Sequence, residues 1–142
     1  MKKFLAIISC FTIIFSLNNT LFADKVNVTA TVGAIDTAPL LSSITPSYSP
    51  VVVRGNTIQS FSMQIKDKEG GPISYTITPE SGKGSVDITS GSLTNASRLQ
   101  SGEATIYFKY LAPTSYTGST KVTVTLNDGT NVTALDIDLY IY

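Results

Sequence analysis

Asp67 and Glu69 stand two residues apart in IKDKEGGPISYTI (residues 65–77). At that spacing two carboxylates can converge on one hard cation. Calcium takes about six to eight oxygens at about 2.3–2.6 Å. Asp67 and Glu69 would supply two or three of them, with Asp36 and Asp128 as the candidates to complete the set if the fold brings them beside the turn. The same stretch also suits a plain chain reversal. Gly70, Gly71 and Pro72 are turn formers, and Lys66 and Lys68 would oppose a cation if they pointed inward. The simple turn is the preferred account and calcium the alternative. A second chemistry is glycoside hydrolysis, which needs two carboxyls about 5–9 Å apart, and Glu80, Asp87 and Glu103 are available. The chain has no histidine, which removes the commonest general base and a common metal ligand. It also has no nucleophile elbow and no phosphate loop, so no catalysis is expected. Tyr107, Tyr140 and Tyr142 are candidates for stacking on sugar rings from the outer faces of strands, although tyrosine is also a favoured strand residue.

The elements that must position these residues lie behind an export signal. Met1-Lys2-Lys3, the apolar run FLAIISCFTIIFSL (residues 4–17) and a small residue at Ala23 form the pattern of a secretory signal peptide over residues 1–23. The cut is expected between Ala23 and Asp24, with an uncleaved membrane anchor as the rival. Cys10 is the sole cysteine and falls inside the apolar run, so the exported chain is expected to carry no disulfide. That combination suits a bacterial envelope or extracellular protein. Export would leave 119 of the 142 residues, enough for one domain. With Lys2 and Lys3 gone, eight basic side chains face ten acidic ones, a net charge of −2. No basic stripe is present to bind nucleic acid, and no membrane partner is expected after cleavage. Asn27, Asn95 and Asn131 open glycosylation sequons, relevant only in a eukaryotic host.

No run shows helical spacing; period-two alternation recurs instead. It covers residues 25–32, 58–66, 73–77, 85–88, 103–111, 121–126 and 131–142. In the last run, Val132 and Ala134 share one parity and Leu135, Ile137, Leu139 and Ile141 the other, so a bulge is expected near Ala134. Turn signals separate the runs: RGN at 54–56, EGGP at 69–72, SGKG at 81–84, YTGS at 116–119 and NDGTN at 127–131, the last reading as a hairpin. About seven to eight short strands at this spacing predict an all-β sandwich with Greek-key connections.

Three fragments, in order, resemble bacterial cadherin-like and Ig-like tandem repeats: VGAIDTAPLL (32–41), FSMQIKDKEGGPISYTI (61–77) and FKYLAPTSYTGSTKVTVTLNDGTNVTALDIDLYI (108–141). The resemblance implies an extracellular module with an adhesive or spacing role, often stiffened by calcium. The expected partner is another protein or a second copy of the chain, met through edge strands, with a glycan as the alternative that the tyrosines raise. Ile35-Asp36-Thr37 departs from the Asn-Asp pair usual at the junction, which removes one expected ligand there.

The expected organisation is thus a signal peptide over 1–23, an N-terminal strand and joint over 24–38, and the sandwich over 39–142. The run KVNVTATV (25–32) places Val26, Val28, Ala30 and Val32 on one face. It either folds back as the first strand of its own sandwich or adds to the sheet edge of a neighbouring subunit, as in a fimbria-like filament.

Overall fold

A computed structural model describes residues 36–142. The expected signal peptide and the run 25–32 lie outside the described residues. The strands are β1 (Leu40–Thr45), β2 (Val51–Val53), β3 (Ile58–Lys66), β4 (Ile73–Pro79), β5 (Ser85–Val86), β6 (Ser90–Leu93), β7 (Ala104–Leu111), β8 (Gly118–Asn127) and β9 (Val132–Ile141), with one helix, α1 (Ala96–Ser101), between β6 and β7. They form two sheets, ordered β1-β3-β7-β5 and β2-β9-β8-β4-β6.

The long strands form where the alternation is cleanest, because a pleated strand sends successive side chains to opposite faces. Phe61, Met63 and Ile65 of β3 face inward with Ala104, Ile106, Phe108 and Tyr110 of β7. From the other sheet come Ile73 and Ile77 of β4, Val122, Val124 and Leu126 of β8, and Ile137, Leu139 and Ile141 of β9. Phe61 and Phe108 are register partners whose rings stack at 5.0 Å. Such a pair adds about 0.5–1.5 kcal/mol beyond the area it buries.

Both margins of the sandwich are shared between the layers. On one side β1 pairs with β3, then the chain crosses and β2 runs parallel to β9. On the other side β5 pairs with β7 before β6 returns to pair with β4. Every pairing other than β2 with β9 is antiparallel. A split first strand with a parallel partner on the last is an immunoglobulin-like arrangement of sheets.

Four local expectations change. Nine strands are present among the described residues, where about seven to eight were expected with the run 25–32 included, because β1, β2 and β6 lack readable alternation. There is no bulge near Ala134: β8 and β9 pair without interruption from Gly118 with Ile141 to Asn127 with Val132. Parity is kept by leaving Val132 and Ala134 outside, with Val132 65% exposed, while the register shift falls in β1 between Leu41 and Ser43. Of the run 85–88 only Ser85–Val86 is strand, and Ile88 is exposed. Finally, α1 was not expected. Asn95 caps it by accepting from the Arg98 N–H at 3.1 Å, and Gly102, at φ +79°, closes it. Its purpose in packing is Leu99, which is fully buried.

Replacing Leu99 with alanine is expected to cost about 2–5 kcal/mol, read as a lower denaturant midpoint with unchanged strand circular dichroism below the transition. A cost under about 0.5 kcal/mol, the range of an ordinary surface substitution, would show that the helix is peripheral.

Candidate interaction surface

The turn after β3 is built around Asp67, which is 2% exposed. Its N–H donates to the Leu99 carbonyl at 3.0 Å, and its Oδ1 accepts from the Gly70 N–H at 2.6 Å. Gly70 sits at φ +71°, and a Cβ there would lie 3.0 Å from the Ala96 carbonyl oxygen, so glycine is required both for the turn and for the close approach of α1. Lys66 and Lys68, on either side of it, are exposed. Asp67 Oδ2 is buried and has no hydrogen-bond partner among the described residues.

The four candidate calcium ligands are not assembled. Glu69 Oε2 accepts from the Thr37 hydroxyl at 2.7 Å and its N–H at 3.3 Å, which draws the joint before β1 to the turn. Asp128 caps its own hairpin, accepting at Oδ1 from Thr130 and Asn131 N–H groups at 2.7 and 2.6 Å and at Oδ2 from the Asn131 amide at 3.2 Å. Asp36 is exposed. Among the described residues no three acidic, histidine or cysteine side chains are grouped to hold a metal ion. With Asp67 turned inward and Asp128 committed to its hairpin, the set does not fit the oxygen cage calcium needs.

The three carboxylates considered for glycoside chemistry are also accounted for by local structure or lie apart. Glu80 bonds Lys83 at 2.8 Å and accepts from the Thr120 hydroxyl at 3.1 Å. Asp87 Oδ1 accepts from the Lys109 N–H at 2.6 Å, extending the short β5–β7 pairing. Glu103 is exposed at the end of α1, where its own N–H donates to the Arg98 carbonyl. Lys83 also lies over the Tyr116 ring at 4.9 Å, and the Tyr110 hydroxyl donates to the Lys83 carbonyl, so this end of the sandwich is tied by two tyrosines.

Tyr107 and the pair Tyr140 and Tyr142 lie on opposite sheets and do not form one platform. On the outer face of β9, Tyr140 pairs in register with Val52 of β2, and Tyr142 follows two residues on; all three are exposed. Across the molecule Ile58 and Leu111 make a second exposed apolar pair. These patches were only partly legible, since Val52 sits in a three-residue strand with no alternation to reveal its face.

The side between β1 and β9 is open. A groove of about 110 Å³ lies there, lined by the apolar Leu41, Ile44, Val51, Met63, Leu135 and Ile137, by the β1–β2 connection from Pro46 to Ser49, and by Asp136 and Asp138. Asp138 accepts from the Ser49 hydroxyl at 3.3 Å, and Asp136 pairs with Lys121 at 2.7 Å.

No protein-family model matches the chain, and no curated protein matches it in sequence. Several solved structures are similar in backbone. The endo-fucoidan hydrolase MfFcnA4 from glycoside hydrolase family 107 shows 21% identity and a TM-score of 0.45 over 78% of this chain, which spans only 14% of that enzyme. The ASH/PapD-like domain of human CEP192 shows 9% identity and a TM-score of 0.45, covering 87% of this chain and 96% of that one. An extracellular fragment of EsaA from Streptococcus gallolyticus shows 19% identity and a TM-score of 0.37, covering 58% of this chain and 23% of that one. At these scores the likenesses assign no function, and the immunoglobulin-like description stands on the strand order. No helix among the described residues is long and apolar enough to cross a membrane.

Replacing Asp67 with alanine removes the acceptor for Gly70 and is expected to cost about 1–3 kcal/mol. Asparagine, which keeps an acceptor for Gly70, should cost less; the two denaturant midpoints give the comparison, and equal losses would show that the Gly70 bond is not what matters.

Acid should weaken the fold through its exposed carboxylates. The Asn131 N–H holds Asp128 below 3.8, Lys121 does the same for Asp136, and the Thr37 hydroxyl and Lys83 hold Glu69 and Glu80 below 4.5. Groups lowered in the folded state stabilise above their unfolded values, and that stability is lost as pH falls through the folded ones. Lys83 and Lys121 are raised above 10.5 by Glu80 and Asp136, so their contribution holds below that pH and is lost above it. Tm should therefore be flat from about pH 5 to 10 and fall below about pH 4, more shallowly in Asp128→Asn. Identical acid limbs in the two proteins would refute the hairpin's part in this.

Proposed function

We propose that the chain is an exported, non-catalytic immunoglobulin-like module that works by surface contact, as a structural or adhesive element of a bacterial envelope or its surroundings. The observation that carries this is the exposed Val52–Tyr140–Tyr142 patch on the outer face of one sheet. Aromatic residues with a polar tip are enriched where proteins meet partners. The polar Ser and Thr surface of β4 and β8 beside it, with Thr76, Thr123 and Thr125, keeps the rest of that face soluble. The export signal in residues 1–23 agrees with a contact role outside the cytoplasm. Carbohydrate binding is the second reading, favoured by the exposure of Tyr140 and Tyr142 together.

Expressed with its own leader in a bacterial host, the chain is expected outside the cytoplasm with Asp24 as its first residue. Cytoplasmic retention, or an intact N-terminus, would overturn export. Beads carrying the exported protein should bind intact cells of the source, and a Val52→Ser, Tyr140→Ser, Tyr142→Ser variant with unchanged Tm should bind at least about tenfold less, a loss of roughly 1.4 kcal/mol. Binding on a glycan array that tracks the two tyrosines selects the carbohydrate reading. Full binding by the triple variant removes this patch as the contact surface.

A further inference from the structure

β9 has ten residues, but β2 pairs only with the last part of it, Leu139 to Ile141. Over Val132–Asp138, seven residues, β9 has β8 on one side and no strand partner on the other among the described residues. An unpaired edge of this length is a template for another strand. Beside it lies the apolar groove, where Leu41, Ile44 and Leu135 are half-buried and the β1–β2 connection from Pro46 to Ser49 forms part of the lining, with Ser49 bonded to Asp138 at the end of the open stretch.

The chain carries a segment of matching length and pattern. Residues 25–32 alternate Val26, Val28, Ala30 and Val32 with Asn27, Thr29 and Thr31, and hold no charge after Lys25. Eight residues extend about 26 Å, against about 23 Å for the open stretch of β9. One parity presents valines to the groove while the other leaves hydroxyls and an amide in water.

The joint indicates which copy supplies the strand. Pro39 is buried, and Thr37 is bonded to Glu69 in the β3–β4 connection. Residues 36–37 are thus tied to the β3–β4 connection rather than to β9. We propose that the free edge of β9 receives residues 25–32 of a second copy of this chain as an added strand. This rests on the contact-module reading and names one partner for it. Donor segment and acceptor groove are different surfaces, so the contact is head-to-tail and repeats from copy to copy, as a ring or an open filament according to its rotation.

The test uses the exported chain in a Cys10→Ser background. Thr29→Cys in one preparation is mixed under oxidising conditions with Ala134→Cys or Asp136→Cys in another, two outward positions of β9 that cover both registers. The expected result is a disulfide-linked dimer of unlike copies with one acceptor variant. The unmodified protein should give concentration-dependent multiples of one chain on size exclusion, and Val28→Asp should give single chains with unchanged circular dichroism and Tm. A cross-link formed only when both cysteines are in one chain means the strand folds back on its own domain and overturns the proposal. So do the absence of any cross-link and unfolding of Val28→Asp. The Val52–Tyr140–Tyr142 patch is not altered by Val28→Asp, so cell binding by that variant reports separately on the contact-module reading.

Discussion

Everything in this domain depends on two sheets being held face to face by apolar side chains alone. The described residues contain no cysteine, so no covalent link joins the layers. Phe61, Met63, Ile65, Ile106 and Phe108 from one sheet must fill the space left by Val122, Val124, Leu126, Ile137 and Leu139 from the other. Each such side chain contributes about 1.5–3 kcal/mol when fully buried. These gains are set against the conformational entropy of the ordered chain, which leaves a small net stability. That balance explains why the margins matter. A strand that crosses between layers, as at β1–β2 and β5–β6, secures the sheets without needing a disulfide.

Where burial is one-sided and the strand is long, the alternation could be read directly. β7 shows it at every inward position, and β3 and β8 depart from it only near one end, at Gln59 and Thr120, because a one-residue slip would turn every apolar group into water. The parts that could not be read are those where burial is not periodic. β1 reads Leu-Leu-Ser-Ser-Ile-Thr and bears a register shift, so its apolar residues do not keep one parity. β2 is three valines in a row, of which only the middle one faces out. α1 has six residues, too few for a 3.6-residue period to declare itself, though Asn95 and Gly102 bracket it as caps. In β9 the exposed Val132 imitated a phase change that does not exist.

The candidate site was less legible than the fold for a related reason. A pair of carboxylates at i and i+2 shows that both can reach one side of a turn, not which way either points. Asp67 continues the inward parity of Phe61, Met63 and Ile65, and the Gly70 N–H holds its carboxylate, while its own N–H is taken by the carbonyl of Leu99, thirty-two residues later. Asp128 is taken up by residues two and three positions ahead of it, a capping arrangement that a short Asp-Gly-Thr-Asn turn favours. The outer-face tyrosines were visible as residue types, but their division between the two sheets follows from topology alone.

The parallel pairing of β2 with β9 also has a mechanical meaning. Asp36 leaves the domain at the end marked by the β3–β4 turn, whereas Tyr142 lies at the other, where its carbonyl accepts from Gly55. Tension between those two points would drag β2 and β9 past each other along their length. The bonds of the Val51–Val53 ladder would then have to break together in shear rather than one after another by peeling.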